Sequence, residues 1–213
     1  MILAIDTAGE LTGLALWTGE LCAELVWRSE RRQTAELLPR LIRLLADSGH
    51  SFDDVRGLVV VTGPGSFNGI RVGIATAQGF ALARRLPLVG VSLLEGMAWP
   101  YRALGRVGTV VAAGRDRAVA VFEKEGTGIA TVLAPTIVSA AQTAGALTGC
   151  QVIVSAVGKL DEVDGPIVVG VAAHPRPGII AELGAERLRA GVSGPVEPLY
   201  LRAPQITQPK AQA

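Results

Sequence analysis

The chain has little of what most enzymes use. It has two histidines and two cysteines among 213 residues. His50 and His174 form neither H-x-x-x-H nor H-E-x-x-H, the spacings that hold zinc on one helix face. This argues against a metallopeptidase. Both histidines read as surface residues. Cys22 and Cys150 are too few for a disulfide framework and read as small core residues. No serine sits in G-x-S-x-G, because Ser66 is flanked by Pro64 and Asn68 at the decisive positions. No apolar run approaches the roughly 18 residues of a membrane span. The chain enters Ile2-Leu3-Ala4-Ile5 without a basic stretch before it, so no signal peptide is expected and the cytoplasm is the expected compartment. Neither charge sign dominates, with 20 basic residues against 19 acidic. A protein that grips nucleic acid alone is usually more basic. The basic residues that do gather, Arg28, Arg31 and Arg32, read as a solvated strand end.

What is present is small and apolar. Residues of the apolar classes make up 49% of the chain but aromatics only 4%, so Ala, Val and Leu must fill the core by close packing. The stretch from Val59 to Arg85 organises the rest. Leu58 to Val61 is a β-branched run, the mark of a buried strand. Gly63-Pro64-Gly65-Ser66 breaks it, and a helix without proline is expected from about Asn68 to Arg85. In that helix Gly69, Gly73, Ala77 and Ala81 recur every fourth residue as a smooth ridge. Each helical glycine costs about 1 kcal/mol relative to alanine, so close packing must offset it. Two readings stay open for this element. It is a packing ridge, or it is a retained phosphate site, since a glycine loop at a helix N-terminus attracts anions. The standard phosphate motifs are absent. Ile70-Arg71 follows Gly69 where a Walker loop needs Lys-Ser/Thr, and Asn68 stands where a dinucleotide fingerprint needs Gly or Ala.

Along the chain, Ile2 to Asp6, Gly13 to Trp17 and Leu21 to Trp27 read as a three-stranded meander. Asp6 and Thr7, at the end of a first strand before a hairpin, stand where actin-like ATPases begin a phosphate loop; an aspartate there also simply caps a turn. A helix from about Thr34 to Ser48 is expected, with its start moved toward Leu38 if Pro39 cannot be accommodated. Leu37, Leu41 and Leu44 line one face and Leu38, Ile42 and Leu45 a neighbouring one, an arc wider than one sheet contact needs. Ser92 and Glu95 form a capping box for a helix through about Ala103. Leu104-Gly105-Arg106 reads as a hinge. The second half repeats the order, with strands at Thr109–Ala113, Ala118–Phe122, Ile129–Leu133, Val152–Val154 and Ile167–Val171, and helices at Ser139–Leu147 and Pro177–Ala190. Asp161, Glu162 and Asp164 form an acidic patch that reads as a solvated loop. The expected organisation is an actin-like lobe over 1–105, a smaller one over 106–202 and a loose tail over 203–213.

Thr62-Gly63-Pro64-Gly65-Ser66-Phe67-Asn68-Gly69-Ile70-Arg71-Val72-Gly73 resembles the signature of the TsaB (YeaZ) family, with Asn68 where the family usually has Thr. Ile2 to Ala8, Arg32 to Pro39 and Pro198 to Arg202 resemble its opening strand, first helix and closing segment. Gln33 and Gly114-Arg115-Asp116 depart from the family pattern. The resemblance implies an α/β, actin-like (ribonuclease H-like) two-lobe fold, a duplicated βββαβαβα with a degenerate second lobe. It implies a non-catalytic subunit in making threonylcarbamoyladenosine in tRNAs that read A-starting codons. The partners implied are the catalytic paralogue TsaD and the ATPase TsaE, with a homodimer when the chain is alone and tRNA reached only through the complex. ATP and metal are then expected on the partners. The two helices form the subunit interface in that family, which points to Leu37, Leu41, Leu44, Gly69, Ile70, Gly73 and Ala77. Asp6, Thr7, Gly63, Gly65 and Ser66 are the degenerate nucleotide-site positions. The alternative is an actin-like ATPase or small-molecule kinase that uses Asp6, Thr7 and the Gly63–Ser66 loop as a phosphate nest.

Overall fold

A computed structural model describes residues 1–30, 32–157, 160, 167–170 and 176–202. Two five-stranded sheets organise it. The first holds β1 (Ile2–Asp6), β2 (Leu11–Trp17), β3 (Leu21–Arg28), β4 (Gly57–Gly63) and β5 (Leu88–Ser92) in the order β3-β2-β1-β4-β5. The second holds β6 (Val107–Ala113), β7 (Asp116–Glu125), β8 (Gly128–Val138), β9 (Val152–Ser155) and β10 (Ile167–Gly170) in the order β10-β9-β6-β7-β8. Read from the other edge, the second order repeats the first. The pairings match too: β1 is antiparallel to β2 and parallel to β4, as β6 is to β7 and β9. The duplication expected from the sequence is therefore present in the strands, and the fold is the actin-like one.

The helices are α1 (Gln33–Asp47), α2 (Phe67–Arg84), α3 (Leu93–Ala98), α4 (Thr143–Ala146) and α5 (Pro177–Arg189). The run Leu58 to Val61 is wholly buried because β4 is covered on both faces. Successive side chains of a strand point to opposite sides. A Cβ on Gly73 of α2 would stand 3.5 Å from Val60, and one on Gly184 of α5 would stand 2.2 Å from Val59. Thus α2 covers one face of the first sheet and α5 the other.

The path of α5 departs from chain order. It follows the second sheet in sequence but packs across β1, β2, β4 and β5 of the first. The segment after it stays there: the Gly194 amide donates to Leu88 O at 3.1 Å and the Leu199 amide to Thr62 O at 2.8 Å. Conversely, α3 reaches β6 and β7 of the second sheet. A division at residue 105 separates the sheets along the chain but not their covering helices. Gly105 itself, with φ at 106°, lies between the last turn of the first half and β6.

Other expectations are corrected. α1 starts at Gln33, not near Leu38, and accommodates Pro39 inside the helix. Thr34 does not cap it; Arg32 holds the cap position without a side-chain hydrogen bond. The helix begun by the Ser92–Glu95 capping box is α-helical only to Ala98 and tightens to a 3-10 turn over Trp99–Leu104, where Pro100 supplies no amide. The helix expected over Ser139–Leu147 is a 3-10 turn at Ala140–Gln142 followed by the single turn of α4. Cys150 is buried as expected, but Cys22 is exposed. Arg31, the acidic patch, His174, Val171 and the tail lie outside the described residues.

Candidate functional site

The predicted loop residues meet at one junction. Two turns, β1–β2 and β4–α2, are seated on each other there. Thr7 is fully buried, and its Oγ1 donates to Gly69 O at 2.7 Å. A Cβ on Gly69 would lie 2.1 Å from Thr7 O, and one on Gly73 would lie 2.3 Å from Thr7 Oγ1. A Cβ on Gly65 would lie 2.2 Å from Ala8 O, which also accepts from the Ser66 amide at 2.6 Å. Only glycine leaves room for these approaches. Ser66 caps α2 by accepting from the Gly69 amide at 3.3 Å. Asp6 is buried and accepts from the Ala8 amide at 2.9 Å, which shapes the β1–β2 turn. So Asp6, Thr7, Gly63, Gly65 and Ser66 are brought together, as a phosphate nest would require. Yet the Thr7–Ala8 backbone occupies the face of Gly65 and Gly69, Ile70 and Leu199 O occupy that of Gly63, and the Ser66 amide donates to Ala8 O. The ridge packs on its own chain.

The residues expected to face a partner divide the same way. Leu37, Leu41, Leu44, Gly69, Ile70, Gly73 and Ala77 are all buried within the chain. On the same two helices the outward apolar side chains are Leu38, 45% exposed, Ile42, 68% exposed, and Leu82, 84% exposed. Leu38 and Ile42 are four apart and share a face of α1. The width of the arc is thus explained in two parts: an inner stripe that seals the lobe and an outer one that stays exposed among the described residues.

Sequence reading missed a charged cavity of about 590 Å³ beside β5, between that edge strand and the segment from Val192 to Leu199. Arg187 of α5 projects into it, donates to Gly90 O at 2.7 Å and pairs with Glu95. Glu95 also accepts from the Ser92 amide at 2.9 Å, as the capping box demands. The Ser92–Glu95 spacing was the visible signal; its partner, 92 residues later, gave none. Among the described residues, no group of three or more His, Cys, Asp or Glu is placed to hold a metal. No described helix is long and apolar enough to cross a membrane. The basic gathering is partly neutralised, Arg28 by Glu10 and Arg32 by Glu36 at 3.8 Å.

Comparison with known proteins agrees with this architecture. The family model described as TsaD, tRNA N6-adenosine threonylcarbamoyltransferase, matches residues 28–164. The tRNA threonylcarbamoyladenosine biosynthesis protein TsaB of Escherichia coli K12 is 44% identical over 97 residues, 46% of this chain and 42% of that protein. The protein of the same name from Haemophilus influenzae is 38% identical over 113 residues, 53% of this chain and 48% of its own length. The matches thus span less than half the length of these curated relatives. The solved structure of YeaZ from Pseudomonas aeruginosa superposes with a TM-score of 0.79 at 21% identity, covering 94% of this chain and 99% of that one. That likeness is one of fold.

Proposed function

Since the chain belongs to the family described as TsaD, tRNA N6-adenosine threonylcarbamoyltransferase, we propose that it is a non-catalytic, cytoplasmic subunit of the machinery that makes threonylcarbamoyladenosine in tRNA. Its partner is a catalytic TsaD-type chain, docked on the outer face of α1 and α2. The observation that carries this reading is the exposed pair Leu38 and Ile42, with Leu82 on the neighbouring helix, left over once the inner stripes have sealed the lobe. Large apolar side chains at this exposure favour a partner. The names and sequences of the TsaB relatives favour the same role. ATP and metal sit on the partners in this reading, with the TsaE-type ATPase joining the pair and tRNA reached through the complex. Alone, the same face pairs two copies. The packed glycine loop supports a structural role for Gly63 to Ser66 over a kinase or ATPase role.

The test is chemical. Depleting the chain in its source organism should lower threonylcarbamoyladenosine in hydrolysed bulk tRNA, measured by liquid chromatography and mass spectrometry. An unchanged level, with turnover of Mg-ATP by the purified chain alone, would favour the kinase or ATPase reading instead.

A further inference from the structure

Outside the loop junction and the helix pair, three chemically active side chains converge at the surface. Cys22 Sγ lies 3.6 Å from His50 Nε2, within reach of a sulfur hydrogen bond. On the other side of the ring, His50 Nδ1 lies 3.9 Å from Asp54 Oδ2, the range of a charge contact. They come from two parts of the chain: Cys22 is on β3, while His50 follows α1 and Asp54, four residues on, ends the 3-10 turn Phe52–Asp54.

Each is placed by a local device. β3 is an edge strand of the first sheet. In its ladder with β2, Leu16 faces Ala23 and Trp17 faces Leu21, so Cys22 is the extra residue of a bulge. A bulge releases a residue from the ladder and re-aims its side chain. Gly49, with φ at 72°, turns the chain out of α1, and the His50 amide is held by Leu45 O at 2.9 Å. Asp54 is fixed by a capping box, accepting from the Ser51 amide at 2.8 Å and the Ser51 hydroxyl at 3.2 Å. Those hydrogen bonds, with His50 and Arg56 adding smaller effects, hold the Asp54 carboxyl below the usual carboxylate value. The neighbouring charges are otherwise engaged: Asp53 pairs with Arg84, and Arg56 donates to the Asp53 and Val55 carbonyls.

We propose that Cys22, His50 and Asp54 form a surface thiol–disulfide exchange site, at which Cys22 takes up a small-molecule thiol from its disulfide. In the step, the Cys22 proton passes to His50 Nε2 as Sγ attacks one sulfur of the incoming disulfide. A new S–S bond forms at Cys22 and the old one breaks. The departing thiolate takes the proton from His50. Cys22 is oxidised to the disulfide level and the released sulfur is reduced to a thiol, so no further oxidant is needed. His50 touches the reacting sulfur; Asp54 is a positioning residue that orients and compensates the protonated ring.

Cys150, the other thiol, provides an internal reference. It is buried, and burial pushes its thiol above the ordinary value, which suppresses its reaction. The test uses the whole protein with an aromatic disulfide whose released thiolate is coloured, and then with glutathione disulfide. The adduct is mapped by peptide mass spectrometry. One fast equivalent at Cys22 is expected, about tenfold faster in the folded chain than in urea. His50→Asn should remove most of that advantage and Asp54→Asn part of it. In urea all variants should react alike, and each should keep the parent's native circular dichroism, so that the folded-state rate change reports the lost side chain and not lost structure. Equal rates for Cys22 folded and unfolded, or an unchanged folded rate in His50→Asn, would overturn the proposal.

Discussion

Thr7 and Gly69 are locked in both directions. The threonine hydroxyl donates to Gly69 O at 2.7 Å, while the Gly69 Cα faces Thr7 O so closely that a Cβ would stand 2.1 Å from it. The relationship ties the end of β1 to the start of α2, 62 residues on. It predicts that Gly69→Ala destabilises the fold by about 3 kcal/mol, the upper end of overpacking costs, because a backbone carbonyl cannot swing aside. Thr7→Val should cost about 1 kcal/mol by removing the buried hydrogen bond that the hydroxyl adds on Gly69 O. Urea unfolding followed by circular dichroism checks both. A stable Gly69→Ala variant would contradict the packing account of the ridge.

The same geometry limits what Gly73→Leu can reveal. The larger side chain would strike Thr7 and Val60 inside the chain. Loss of a partner in that variant would report misfolding. Substitutions meant to probe an interface belong on Ile42 and Leu82, whose side chains face outward.

Arg187 and Glu95 join α5 to the start of α3 with side chains only 26% and 13% exposed. Arg187→Ala should therefore cost about 2 kcal/mol, less than a fully buried pair loses because solvent still reaches the arginine. It should do so whatever happens to function. A double-mutant cycle with Glu95→Gln checks it; additive effects of the two changes would show that the pair is not coupled.

Asp54 gives a signed pH effect. Its carboxyl is held below the ordinary value of 3.8, chiefly by the Ser51 amide and then by the Ser51 hydroxyl. The folded state thus binds this proton less readily than the unfolded one. Its contribution to stability is present above the unfolded value and is lost as pH falls through the folded one. Carbon-detected NMR titration should find the Asp54 midpoint below 3.8 in the native chain and restored toward it in Ser51→Ala. A midpoint unmoved by Ser51→Ala would contradict the capping-box cause.

Local chemistry was legible and long-range partners were not. The β-branched run of β4, the Ser92–Glu95 capping box and the Gly–Ala ridge each announce themselves by spacing alone. Spacing does not say what a ridge meets. Thr7 fills the one on α2, and nothing near Gly69 in sequence points to it. On α1 the periodicity shows two adjoining stripes, but only the fold decides that Leu37 and Leu41 turn inward while Leu38 and Ile42 stay out. Pro39 argued for a late helix start, and packing of the inner stripe overrode it. The return of α5 to the first sheet is a topological fact without a local mark, though Gly184, seated on Val59, is its trace in the sequence. Cys22 read as core because a free cysteine is usually a small buried residue; it lies instead at a bulge of the edge strand, which no composition signals, and is exposed.

The most direct measurement mixes the purified chain with the TsaD-type chain of the same organism and follows size-exclusion chromatography with light scattering. The account predicts a one-to-one heterodimer that forms at the expense of any homodimer. It also predicts that Ile42→Glu weakens this complex at least tenfold, on the order of 1.4 kcal/mol, without lowering the thermal midpoint of the isolated chain. A complex unaffected by charge at both Ile42 and Leu82, or no complex with ATP and the TsaE-type partner present, would contradict it.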